Sequence, residues 1–176
     1  MGIRGNDDWL LKESSPEKKA HVLEVISTYR AAPSDGLYVS VPIASGKRCY
    51  SVLEKYAVKS IGELVALDPA VLHTEIILPN IAEGRSYAER VASQTNEHII
   101  TPTSFDAQKH GWNEAECMFL WYQIMKEKAK EVRSVDGWHY SNGASQEFVK
   151  AMEMQFGHVT HHCGMEHFPA GADLCA

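Results

Sequence analysis

The 176-residue chain has no apolar run approaching the ~18 residues that a helical membrane span requires, so no membrane span is expected. It has no excess of positive charge. Seventeen Lys and Arg stand against 23 Asp and Glu, for a formal net charge of −6. Extended nucleic acids and anionic membranes are held by broad basic patches, so neither is an expected partner, although a local pocket for one phosphate remains compatible. Cysteine is sparse. Cys49, Cys117, Cys163 and Cys175 form no tight C-x-x-C pair, as in intracellular chains with reduced thiols. The opening stretch MGIRGNDDWLLKESS is acidic and polar, where a secretion signal would be basic and then apolar. A cytoplasmic location is expected.

What is present is 44% hydrophobic and 23% charged sequence, enough to build one ordinary domain with its own core. Ser15-Pro16-Glu17 combines a hydroxyl cap, a first-turn proline and an acid, which predicts a helix start. Val22, Val25, Ile26 and Tyr29 follow at helical spacing. Residues 1–34 are therefore expected as an N-terminal helical extension preceding the main fold. After the turn signal Pro33-Ser34-Asp35-Gly36, the run LYVSVPI at 37–43 predicts a strand. Residues 50–78 read as an insertion, with two short helices around Asp68-Pro69 and a short strand, EIIL, at 75–78.

A helix is then expected from residue 80, with Ile81, Tyr87, Ala88 and Val91 buried, followed by a strand at 97–102. A long helix over 111–132 should bury Met118, Trp121, Tyr122 and Met125. A short strand is expected at 132–138, and a last helix at 143–156 with Phe148, Val149, Met152 and Phe156 inward. The tail from 158 to 176 is expected to have little regular structure. Alternating strands and helices favour a parallel sheet covered by helices, whose functional crevice lies beyond the C-terminal strand ends.

Two segments fall at that crevice. One is VSVPIASGKR, where Ser45, Gly46, Lys47 and Arg48 form a small-residue loop with two cations, a composition that suits phosphate. The other is DGWHYSNGASQEF at 136–148. Ser141, Asn142, Gly143, Ala144 and Ser145 open a helix here, and small residues at a helix N-terminus let an anion approach its free N–H groups. Glu147 stands one turn further in, where the helix end should keep it ionised. The plainer alternative is an ordinary helix start, capped by Ser141 or Asn142, with Glu147 facing solvent.

The blocks YVSVPIASGKR and GWHYSNGASQEFVKA, with HIITP between them, resemble the nucleoside 2-deoxyribosyltransferase-like superfamily, which includes nucleotide N-glycosidases. The likeness covers roughly residues 36–157. It implies a flavodoxin-like (Rossmann-like) α/β fold, a parallel sheet sandwiched by helices, and commonly a homodimer. It implies that Glu147 attacks the anomeric carbon of a nucleoside or nucleotide, that Ser141, Gly143 and Ala144 line the phosphate site, and that Tyr38 and Ser40 lie near the sugar or base. No cofactor is implied. The chain departs from the family in the 50–78 insertion, and in having Gln123 and Glu127, but no aspartate, on the helix before the last strand.

Cleavage of an N-glycosidic bond needs a carboxylate at the anomeric carbon and a proton or hydrogen-bond donor for the departing base. Asp136, His139 and Tyr38 are the candidate donors, although Asp136-Gly137 is also a turn signal. Trp138 is a candidate to stack on a base, or equally a packing residue. Two rival functions stay open: a non-catalytic nucleotide-binding module or sensor, and a zinc protein using His158, His161, His162, Cys163 and His167. The latter residues are good zinc ligands, but their spacing matches no zinc finger. Such a tail could instead wrap a neighbouring subunit.

Overall fold

The computed structural model describes residues 7–107 and 109–154, and the backbone of 158–163 and 166–170. Its framework is a mixed sheet in the order β2-β1-β3-β4-β5. The strands are β1 (Gly36–Ser40), β2 (Ile99–Ile100), β3 (Ala129–Ser134), β4 (His158–Cys163) and β5 (Glu166–Ala170). β2, β1, β3 and β4 are parallel, and β5 returns antiparallel to β4. β1 is buried along its whole length and has β2 on one side and β3 on the other. The chain therefore reverses its direction of travel across the sheet between β1 and β3, and that reversal opens a crevice at their C-terminal ends.

Alternation along β1 assigns the two faces. Tyr38 points into the larger core, where Val22 and Ile26 of α1 (Pro16–Arg30) meet Phe119, Leu120, Ile124 and Met125 of α6 (Glu114–Lys128) and Ala151 of α7 (Asn142–Glu153). Leu37, Val39 and Val41 point the other way, onto Ala88 and Val91 of α5 (Leu78–Gln94). Each fully buried aliphatic side chain of this kind contributes on the order of 1.5–3 kcal/mol. α1 starts as expected, with the Ser15 hydroxyl accepting from the Lys18 N–H at 3.3 Å and Pro16 in the first turn. It is packed into the main core, where Val22 and Ile26 are completely buried.

The segment at 50–78 is helical throughout its ordered elements. It contains most of α2 (Lys47–Lys55), then α3 (Ile61–Leu67) and α4 (Pro69–Val71). Cys49, Val52, Leu64, Val71 and Ile76 give it a small apolar cluster of its own. The strand expected at 75–78 is absent. Leu72–Ile77 is a π-helical stretch that runs directly into α5, with the Leu78 N–H reaching back five residues to the His73 carbonyl. Pro79 accounts for it. A proline has no N–H for the residue-75 carbonyl and its ring crowds that turn, so the helix widens instead of closing normally.

Three further expectations are corrected. α6 stops at Lys128, and the AKEV stretch expected at its end becomes β3, paired with β1 on one side and β4 on the other; strand pairing overrides local helix propensity there. The tail forms the β4–β5 pairing in place of irregular chain. On α7, Val149 is 56% exposed instead of inward, because Ala144, Glu147 and Ala151 define the buried face; Phe156 lies outside the described residues.

Candidate active site

Glu147 reaches the C-terminal end of β1 from α7. Tyr38 and Ser40 are two residues apart on β1, so both side chains leave the sheet on the α7 side. The Tyr38 hydroxyl donates to Glu147 Oε1 at 2.7 Å, and the Ser40 hydroxyl donates to Oε2 at 2.5 Å. All three residues are buried, Glu147 at 4% exposure. Ser134 ends β3 directly beside Ser40 in the sheet register. A carboxyl group thus has each oxygen held by a separate hydroxyl.

Burial dominates its electrostatics. Removal from water disfavours the charged form and pushes the Glu147 carboxyl up to about 7, although the hydrogen bonds from Ser40 and Tyr38 oppose the shift. The expectation that the helix end keeps it fully ionised near neutrality is therefore corrected: both protonation states are populated there. Burial, and then the Glu147 charge, hold the Tyr38 phenol well above the ordinary tyrosine range. Tyr38 is accordingly a hydrogen-bond donor to the carboxylate and a poor proton source.

A cavity of about 460 Å³ lies at the same strand ends, lined by Val41, Pro42, Ser45, Gly46, Lys47, Arg48, Ser51, Asn80, Glu83, Gly84, Val135, Asp136 and Gly137. Its size suits a small ligand. α2 opens on it. Gly46 is the N-cap, at φ +84° and ψ −176°, and no side chain caps the helix. That backbone region is open essentially to glycine alone, and a Cβ there would also stand 2.9 Å from Pro42 Cβ. Close approach recurs at Gly84, where a Cβ would collide with the Val41 side chain, so α5 presses directly on the end of β1.

Asn80 holds the loop that forms the cavity wall. Its amide donates to the Ile43 carbonyl at 2.9 Å and the Ser45 carbonyl at 3.0 Å, while its oxygen accepts from Arg48 Nε at 3.0 Å. Arg48 also pairs with Glu83 at 2.9 Å. Lys47 has no ion-pair partner among the described residues. The Ser45 and Ser141 hydroxyls are 2.8 Å apart, and this bridge joins the cavity wall to the start of α7.

The expected site residues divide accordingly. Tyr38, Ser40 and Glu147 converge on one point. Ser45, Gly46, Lys47, Arg48 and Asp136 line the cavity. Ser141 does not line it; its hydroxyl caps α7, accepting from the Ala144 N–H at 3.3 Å. Asn142 donates to Glu114 at 2.9 Å, toward α6. Gly143 and Ala144 pack inward, a Cβ at Gly143 lying 3.7 Å from Met118 Sδ, and Ser145 continues the capped first turn. Within the cradle expected at 141–145, the Ala144 and Ser145 N–H groups are thus taken by Ser141, and none of the five residues lines the cavity. Trp138 stacks on Phe148 with ring centroids 4.6 Å apart and is not part of the cavity wall; His139 is exposed. Glu147, Tyr38 and Ser40 are likewise not among the residues that line the cavity. Asn80, Glu83, Gly84 and Ser134 join the site without a signal in the sequence motifs.

Among the described residues no group of three or more His, Cys, Asp or Glu could hold a metal ion; the side chains of His158, His161, His162, Cys163 and His167 lie outside them. Burial raises the Cys117 thiol to about 12, which makes it a poor nucleophile. No described helix is long and apolar enough to cross a membrane. Comparison with known proteins finds no matching family model, no similar curated protein and no similar solved structure.

Proposed function

We propose that the chain is a nucleoside or nucleotide N-glycosidase, or a 2-deoxyribosyltransferase, with Glu147 as its nucleophile. The observation that carries this is the buried Glu147 carboxyl, gripped by Tyr38 and Ser40 at the β1–β3 reversal, beside a cavity of ligand size. The strand order also supports a flavodoxin-like architecture, from which antiparallel β5 departs.

In the reaction, one Glu147 oxygen forms a bond to the anomeric carbon as the C–N bond breaks, and that electron pair leaves with the base. A donor protonates the base. Water, or an incoming base, then attacks the same carbon and releases the carboxylate. Tyr38 and Ser40 orient the nucleophile. The Tyr38 proton is committed to Glu147, so the proton for the base comes from water, and Asp136, on the cavity wall, is the candidate placed to orient it. A 5′-phosphate sits at the uncapped start of α2, with Lys47 and the Gly46 backbone supplying positive charge. The enzyme acts in the cytoplasm as a homodimer.

Incubation with a panel of nucleosides and 5′-monophosphates, with free base read by chromatography, tests this. Base is released by the wild-type protein and not by Glu147→Ala. A second function, a non-catalytic nucleotide-binding module, draws support from Glu147 being buried and not among the residues that line the cavity. It requires ligand binding without base release from any member of the panel.

A further inference from the structure

Three hydroxyl-bearing residues, Tyr38, Ser40 and Ser134, occupy the strand ends on the side facing α7. The first two donate to the Glu147 carboxylate. Ser134 is the register partner of Ser40 on the parallel β1–β3 ladder, so its side chain leaves the sheet on the same face. Val132, two residues earlier, packs with Tyr38 in the core on that face, while Val135 packs with Val39 and Val41 on the other. Ser134 is fully buried, and its Oγ has no hydrogen-bond partner among the described residues. A buried hydroxyl in that condition destabilises the fold, and proteins carry few of them. Alanine would pack at this strand position without the penalty.

We infer that Ser134 is a substrate-contacting residue: its hydroxyl bonds a hydroxyl of the sugar held against Glu147, and so favours sugars that carry that group. The inference rests on the function proposed above and names a specificity contact within it. The sugar is the part of the ligand that must lie against Glu147, because it contains the anomeric carbon. Phosphate is drawn instead to the α2 end, where the cations are. A serine hydroxyl both donates and accepts, as does a sugar hydroxyl. A site built to bond a ligand hydroxyl discriminates strongly against the analogue lacking it, because its own polar group is then left unpaired.

The test combines Ser134→Ala with a ribonucleoside 5′-monophosphate and its 2′-deoxy and 3′-deoxy analogues, in three readouts. In thermal unfolding without ligand, the melting temperature of Ser134→Ala equals or exceeds that of the wild type. In base release, kcat/KM on the fully hydroxylated ligand falls by about tenfold or more, while one deoxy analogue is turned over equally by both proteins. In calorimetric binding to the Glu147→Gln protein, adding Ser134→Ala weakens the hydroxylated ligand and leaves that same analogue unchanged.

A lowered melting temperature would mean that the hydroxyl has a structural partner, and would overturn the inference. Equal losses on all three ligands, or no loss, would also overturn it. Absence of base release from the wild type would overturn the glycosidase proposal alone, since the melting and binding readouts stand without turnover. No binding of any of the three ligands would overturn both.

Discussion

Two helices begin at the same end of the sheet, and their first turns are finished differently. α7 is closed: the Ser141 hydroxyl takes the Ala144 N–H, Ser45 bonds Ser141, and Asn142 reaches to α6. α2 is open: its cap is a glycine with no side chain to offer, and its first turn forms part of a cavity wall. Both sequences are small and polar, so composition alone makes each an anion site. The difference arises from neighbours. A helix N-terminus attracts an anion only with the N–H groups that the protein has left over. The closed helix carries the buried carboxyl, and the open one carries the cations Lys47 and Arg48 in its first turn. Under the proposed function the two ends therefore divide the work: α7 positions the carboxyl and α2 receives the charge of the ligand.

The largest effect that would sharpen this contrast is at Glu147 and depends on pH. Folding raises its pKa to about 7 from an ordinary 4.5, so the fold favours the protonated form. The stability this provides is complete below about pH 4.5 and is lost as pH rises through about 7. Glu147→Gln stays neutral throughout. It should match the wild type near pH 4.5 and exceed it by about 3 kcal/mol at pH 8.5, at roughly 1.4 kcal/mol for each tenfold change in proton affinity. Urea unfolding at the two pH values measures this; equal stabilities at pH 8.5 would mean that the carboxyl is not held as described. Because only the ionised form attacks carbon, base release by the wild type should rise with pH through the same range.

The next effect is at Gly46. Alanine there meets both an unfavourable backbone region and Pro42, costing roughly 1–3 kcal/mol and distorting the start of α2. Chemical denaturation would show the loss, and phosphate binding should fail with it. Lys47→Gln comes after that. Affinity for a 5′-monophosphate should drop about tenfold, in keeping with the ~1.5–3 kcal/mol typical of a hydrogen bond to a charged group, with little change for the matching nucleoside. The smallest effect is at Ser141. Alanine removes a helix cap, costing about 1 kcal/mol, while affinity for phosphate relative to nucleoside stays nearly level. If Ser141→Ala discriminates against the monophosphate more than Lys47→Gln does, α7 is the anion site and the contrast is wrong.

The parts of the molecule legible in sequence are those fixed by local pattern. The Ser15-Pro16 start of α1, the apolar stripe of α6 and the strand at Tyr38 follow from capping chemistry and periodicity. Asp68 before Pro69 likewise caps α4, accepting from the Ala70 N–H at 2.9 Å. Tyr38, Ser40 and Glu147 are visible through motif resemblance, and their convergence requires the fold. The rest depends on tertiary partners. EIIL has strand composition, but its conformation is set by Pro79 a residue beyond it. AKEV continues a helical pattern until β1 and β4 offer it pairing. In the tail, the abundance of histidine obscures the strand pairing that joins β4 to β5.

Asn80 reads as one more polar helix residue, and nothing in its local sequence indicates that it binds two carbonyls of the 43–45 loop and Arg48 of α2. Ser134 stands two residues after Val132 like any strand residue. The ionisation of Glu147 is misread from sequence because helix position is visible there and desolvation is not. A first-turn dipole effect is worth typically about 0.3–1 kcal/mol, which full burial of a carboxylate outweighs.

The central claim is that the Glu147 carboxylate attacks carbon, and trapping the intermediate tests it most directly. Wild-type protein, mixed rapidly with a nucleoside 5′-monophosphate that it turns over and quenched in acid, should gain the mass of the sugar phosphate on the peptide containing Glu147. Glu147→Gln should gain none and release no base. Base release by Glu147→Gln at a rate near that of the wild type would contradict the account.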